Sequence, residues 1–333
     1  MLQAGPPQLL PVANRPLLLH ALDAIRTAGL SQAAVVVDQG LAPAVRQVLE
    51  EGGTDRGLNV ELVETDPAAG FGGALAGMRD FLGSEPFLLH LADSLQKGGL
   101  GALVADPDLG AADARILTTA PAEHRRSHLV DAASLHPRVE PLRFNGAKPT
   151  PADHAGVYVL GQDALDVTGA LEPVELLQAL DALGGNVEML RARRSWRLGH
   201  GLQGWLEGNR LALEGLEGDE ETRALFDTDV QGSVVIHPTA EIRSSVVRGP
   251  AVIGPMTRLT DAYVGPYSSI GAGVLIEAAE IENSIILPGA SIRYLGGRLE
   301  SSVIGARARV FRDFRLPRAM RLSVGEGAEV ALT

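Results

Sequence analysis

Asp93 closes an apolar run, PFLLHLAD at 86–93, that reads as a buried strand. In open α/β sheets, ligands collect beyond the carboxyl ends of the strands. A carboxylate there can hold Mg²⁺ and, through it, a phosphate. The same position also suits a helix N-cap or a loop. Lys148, in the polar turn before GVYVL at 156–160, is one of only two lysines, with Lys97, among 29 basic side chains. It can contact a phosphate, or simply be solvated. The stretch DPAAGFGGA at 66–74 carries Gly70, Gly72 and Gly73 ahead of a helix. Such glycines allow close backbone approach, and free N–H groups at a helix start favour anions. The stretch matches neither Gly-rich nucleotide motif, and a plain turn explains it as well.

Composition narrows the chemistry. The 333 residues contain no cysteine, which excludes thiolate catalysis, disulfides and Cys-ligated metals. A formal net charge of −12 argues against a general nucleic-acid or anionic-membrane binder. No run reaches the length of a membrane span, and no basic-then-apolar leader opens the chain, so the expectation is a cytoplasmic protein. Hydrophobic residues at 45% support a real core, and aromatics at 4% mean that it is aliphatic.

The elements that must position these residues alternate. Helical spacing marks 17–28, 43–50, about 73–81, 171–183 and 201–214. Short apolar strands fall at 34–37, 60–63, 86–93, 156–160 and 187–192. This alternation is the signature of an α/β fold. After GLEGDEETR at 215–223 the character changes, which places the expected domains at 1–222 and 223–333. Ile236, Ile253, Ile270, Leu287 and Ile304 are 17 residues apart, and parallel columns run Ile242–Leu259–Ile276 and Val247–Val264–Ile281. Three aliphatic anchors per coil, with Gly and Pro between them, predict a β-helix of hexapeptide-like units. The second column breaks at Arg293 and the third at Arg298, so irregular later coils are expected, with LGGR at 295–298 bulging outward. Phe311, Phe314 and Leu316 are candidates to cap the open end, and 318–324 for a last strand. His237 is the one histidine in the repeat that could act as an acyltransferase base, and a surface role suits its place in the first coil better.

Taken together, QLLPVANRP at 8–16, HLADS at 90–94, GAKP at 146–149, GVYVL and WLEGNRLALE at 205–214 resemble the sugar-1-phosphate nucleotidylyltransferases. The likeness is to the glucose-1-phosphate thymidylyltransferase type with a C-terminal left-handed β-helix. The resemblance spans nearly the whole chain. It implies a Rossmann-like nucleotidyltransferase domain and condensation of a nucleoside triphosphate with a sugar 1-phosphate, releasing pyrophosphate under Mg²⁺. It assigns Asp93 to the metal, Lys148 to the sugar phosphate, and Gln8, Gly70, Gly72, Gly156 and Glu175 to substrate. It also implies a homo-oligomer.

The departures are equally specific. The family's first strand and its GGxGTRL loop have no counterpart before Gln8, and the lysine preceding that glutamine is Pro7. The second metal aspartate falls on Leu198, the acidic neighbour of Lys148 is Ala147, and the Glu-Ile-Thr-Asp segment is replaced around Pro173 to Leu177. Leucine cannot ligate Mg²⁺. The expectation is therefore a nucleotidyltransferase-like protein with impaired transfer, binding a nucleotide or nucleotide-sugar or serving as a partner subunit. The alternatives are an active glucose-1-phosphate thymidylyltransferase, with a longer native N-terminus or a rearranged metal site, and a β-helix acyltransferase or scaffold.

Overall fold

The structure, a computed structural model, describes residues 6–52, 57–98, 100–104, 113–119, 141–142, 154–167, 172–192, 194–198, 201–216 and 227–312. Lys148, Phe314, Leu316 and the strand expected at 318–324 lie outside the described residues. The chain divides into two units, one spanning 6–11 and 15–199, the other holding 12–14 and 200–333.

The first unit is α/β and Rossmann-like. The helix Leu17–Thr27 begins after Pro16, whose extended backbone suits a helix entry, and buries Leu18, Ala21 and Leu22 on one face. The strand Gln32–Asp38 pairs in parallel with Asn59–Thr65 through the helix Ala42–Glu51, a βαβ unit. These two strands form a sheet of their own. A second sheet runs Phe87–His90, His154–Leu160, Ala114–Thr119, Val187–Ala192 and Pro141–Leu142, in that order. His154–Leu160 is antiparallel to both neighbours, whereas Ala114–Thr119 and Val187–Ala192 are parallel.

All seven residues of His154–Leu160 are buried. Tyr158 and Leu160 enter a core with Phe87, Ile116 and the Leu176, Leu177 and Leu180 face of the helix Pro173–Ala182. Val157 and Val159 enter another with Ala24, Leu103, Leu117 and Leu190. A strand covered on both faces needs apolar residues at every position, not alternation.

Two elements differ from expectation. The strand expected over 86–93 stops at His90, because Leu91 to Ser94 form a turn in which the Ser94 N–H and hydroxyl both donate to the Leu91 carbonyl (3.1 and 2.8 Å). Asp93 therefore sits in that turn. The helix expected over 73–81 is two short pieces, Gly70–Ala76 and Arg79–Leu82, interrupted at Gly77 and Met78. The other three expected helices of this unit and the strands expected at 34–37, 60–63, 156–160 and 187–192 are found, to within a few residues at their ends. The strands Ser94–Gln96, Ala114–Thr119, Pro141–Leu142 and Ser195–Arg197 and the helix Leu100–Val104 were not expected.

The second unit carries a left-handed parallel β-helix. Three ladders of parallel strands make its faces. One inward column is Val230, Val247, Val264, Ile281 and Leu299. Another is Ile236, Ile253, Ile270, Ile286 and Ile304, and the third is Ile242, Leu259, Ile276, Ile292 and Val310. The expected anchor Leu287 is thus replaced by Ile286, which is fully buried while Leu287 is only partly so. The expected breaks at Arg293 and Arg298 do not occur. The corner from Ile281 to Ile286 is one residue shorter than its counterpart from Val264 to Ile270 in the coil before, and the exposed segment Gly296–Arg298 lengthens a later corner in compensation. Each column then continues through Ile292 and Leu299. Packing selects the residue that faces inward, not the count along the chain. At Gly254 and Gly271 neighbouring coils approach so closely that a Cβ would lie 2.8 and 2.9 Å from the next coil's backbone. Phe311, a candidate cap, is 55% exposed and lies against the Arg309 guanidinium.

The helix Leu202–Leu213 belongs to this unit and docks through one buried amide. Asn209 accepts from the Ala13 N–H (2.8 Å) and the Ser269 hydroxyl (2.7 Å) and donates to the Tyr267 carbonyl (3.1 Å). The Asn14 amide donates to the Ile270 carbonyl at 2.6 Å. No helix of the described residues is long and apolar enough to cross a membrane.

Asn209→Ala would strand one buried and two part-buried partners, so a stability loss of about 2–3 kcal/mol is expected in urea unfolding. Ser269→Ala should cost only about 1 kcal/mol. Equal, small losses for both would show that the amide is not the anchor.

Candidate functional site

The turn that presents Asp93 is built against a glycine. Gly156 has φ +79°, and a Cβ on it would lie 2.8 Å from the Ser94 hydroxyl and 2.9 Å from the Ser94 Cβ. The ladder shifts register here: Leu117 pairs with Val157 but Thr118 pairs with His154, a β-bulge. The Gly156 carbonyl accepts from the Leu91 N–H at 2.8 Å, tying the bulge to the start of the turn.

From the turn, Ser94–Gln96 pairs antiparallel with Ser195–Arg197, Ser94 opposite Arg197. The Leu198 N–H then donates to the Asp93 carbonyl at 2.9 Å. Asp93 and Leu198 are thus neighbours through backbone, while the side chain that reaches the Asp93 carboxylate is that of Arg197. Its Nε lies 3.3 and 3.2 Å from the two carboxylate oxygens. Both side chains are less than one third exposed.

Arg197 is held at its other end too. Its Nη1 donates to His154 Nε2 at 2.9 Å. Arginine has no acceptor, so Nε2 must be the unprotonated ring nitrogen in this contact. His154 in turn hydrogen-bonds Tyr158 through Nδ1, and both are almost fully buried. Burial pushes the Tyr158 phenol above its ordinary range, and the Arg197 charge opposes this only in part. Asp93, Arg197, His154 and Tyr158 therefore form one polar chain, running from the half-buried ion pair to the buried strand.

Beside it lies His90. Its Nδ1 is 3.0 Å from the Leu91 carbonyl, while Nε2 is buried and has no hydrogen-bond partner among the described residues. Burial lowers this imidazole from 6.5 to about 4, and the carbonyl contact offsets only part of that.

The other expected site residues are dispersed. Gln8 lies in the short 3-10 turn Pro7–Leu9. Gly70, at φ +63°, opens the helix Gly70–Ala76, and Gly72 is buried within it. Glu175 accepts from the Glu172 N–H at 3.2 Å in a capping box at the start of Pro173–Ala182. His237 is exposed and bonded to the Thr239 hydroxyl at 3.0 Å. Asp93 and Gly156 are brought together, through Ser94. Arg197, His154 and Tyr158 escaped the sequence reading. The available signal was a histidine and a tyrosine flanking a glycine in a fully apolar strand, and an arginine directly before Leu198.

At the Asp93 carboxylate stands a guanidinium, where a divalent metal would have to bind. Mg²⁺ needs carboxylate oxygens free to ligate. Asp93 presents both of its oxygens to the Arg197 guanidinium.

No family model matches the chain. It is 31% identical to a glucose-1-phosphate thymidylyltransferase of Streptomyces griseus, over 98% of this chain and 93% of that protein. It is 29% identical to the Streptomyces antibioticus protein of the same name, with the same coverage. A low-salt glycan biosynthesis nucleotidyltransferase of Haloferax volcanii is 28% identical over 98% of this chain and 94% of its own length.

Gly156→Ala meets both a left-handed backbone and the Ser94 side chain, and should cost about 2 kcal/mol or more in denaturant unfolding. Lowering pH should destabilise the protein between pH 6.5 and 4, where the unfolded chain binds a proton at His90 that the native chain refuses. The loss attributable to His90 is on the order of 3 kcal/mol and ends near pH 4. Stability against pH for His90→Asn should be flatter over that window by this amount. An unchanged slope would remove His90 from the account.

Proposed function

The chain belongs to the sugar-1-phosphate nucleotidyltransferase family, and from that premise we propose that it is a member of nucleotide-sugar metabolism with impaired nucleotidyl transfer. The observation that carries this reading is the Asp93–Arg197 ion pair, with Leu198 alongside. In-line attack of a sugar phosphate on a nucleoside triphosphate needs no protein nucleophile. It needs cations aimed at the phosphoryl oxygens and carboxylates that hold a metal among them.

Among the described residues the turn supplies one carboxylate, and it is paired with a guanidinium. Gly156 and Ser94 fix the turn, Trp196 buries the adjoining strand, and His154 with Tyr158 braces the guanidinium. These residues build a rigid floor without the charge pattern that transfer requires. Retention of the floor supports binding of a nucleotide or nucleotide-sugar, or service as a partner subunit in a homo-oligomer or beside an active relative. Loss of a single preorganised charge contact in such a site lowers rates roughly 100- to 1,000-fold.

Pyrophosphate release should be measured with Mg²⁺, glucose 1-phosphate and dTTP or UTP, beside the Streptomyces griseus relative and an Asp93→Ala control. The expected rate is below roughly a thousandth of the relative's and indistinguishable from the control. Mg²⁺-dependent release that Asp93→Ala abolishes would identify a working transferase and sink the proposal.

A further inference from the structure

We propose that Arg197 is the resident cation of this site: it takes the place at Asp93 that a divalent metal would need, and a single substitution at 197 opens that place to metal. The inference rests on the reading above only in treating Asp93 as the metal-position carboxylate.

Three observations converge on Arg197. Its Nε is shared between both Asp93 oxygens, so a positive charge already sits at the carboxylate edge that a metal would approach. Its charge is permanent, because a guanidinium does not lose its proton at any pH the fold tolerates. Its far end is pinned at 2.9 Å by His154, a residue 4% exposed that is itself held by the buried Tyr158. A mobile lysine could swing away to admit a metal. This guanidinium would have to leave two partners at once, and its charge would remain close to the incoming ion. Monovalent and divalent cations repel strongly in a partly buried setting. One carboxylate cannot compensate both.

Arg197 also emerges from a fixed strand. Ser195–Arg197 is hydrogen-bonded to Ser94–Gln96, and Trp196, between Ser195 and Arg197, is 5% exposed. Position 197 therefore faces Ser94 across the strand pair, next to Asp93, and another side chain placed there starts from the same backbone position. A carboxylate at 197 would therefore stand beside the turn that carries Asp93.

Mn²⁺ binding read by electron paramagnetic resonance tests this without turnover. Wild type and Asp93→Asn should be indistinguishable, with no saturable site below about 1 mM metal. Arg197→Asp should gain one site per chain, at least roughly tenfold tighter than anything in wild type, and its melting temperature should rise on adding Mn²⁺. Arg197→Gln, which keeps a donor for His154 without the charge, should gain a weaker site and decides the matter if the aspartate variant fails to fold by circular dichroism. A wild-type site that Asp93→Asn removes would overturn the inference, whatever the variants do. So would two folded Arg197 variants with no gain. Metal-free turnover by wild type would sink the proposed function and leave this inference standing. A silent enzyme with a Mn²⁺ site at Asp93 would do the reverse.

Discussion

The α/β unit depends on a strand with no solvent-facing side. His154–Leu160 pairs on both edges and feeds aliphatic side chains into the cores above and below it. Such a strand tolerates almost no polar residue unless the polar atoms are satisfied locally. It carries two, His154 and Tyr158, and they satisfy each other and Arg197. The bulge at Gly156 lets the strand carry them, since it absorbs a residue where the chain must pass Ser94 without a Cβ. The site and the cores are thus one packing problem: the residues that present Asp93 are also those that close the sheet.

That coupling explains how the site can keep its shape while changing its charge. The turn at 91–94, the bulge and the strand pair Ser94–Gln96 with Ser195–Arg197 are held by backbone hydrogen bonds and steric fit, none of which needs a metal. An ion pair then satisfies the partly buried carboxylate. Removing either partner alone would leave a charge with poor solvation, so aspartate and arginine hold each other in place.

The sequence made the aliphatic architecture legible and left the polar contacts obscure. Column spacing revealed the β-helix because each inward residue must be apolar, and the helix at 17–27 was readable from Leu18, Ala21 and Leu22 for the same reason. The resemblance drew attention to Asp93, Gly156 and Leu198. It could not show that Arg197 reaches Asp93 across 104 residues of chain, or His154 across 43, because nothing in periodicity encodes which polar groups meet. The apolar run at 86–93 also placed Asp93 at the end of a strand, whereas the chain turns after His90, with the Ser94 N–H and hydroxyl bonded to the Leu91 carbonyl. The error at Leu287 has another origin. A fixed period was extended past a corner that had lost a residue, although the neighbouring Ile285-Ile286 pair was the better apolar anchor.

The shortened corner after Ile281 has a consequence for how such a coil can change over time. Each face of the β-helix is indexed by its own ladder, and the corners only return the chain to the next face. A residue lost at one corner shifts the numbering of everything after it but displaces no column, as Ile276 over Ile292 and Ile281 beneath Leu299 show. Corners therefore act as slack and faces as gauge. Length variation can collect at the corners coil by coil while the aliphatic interior is inherited unchanged.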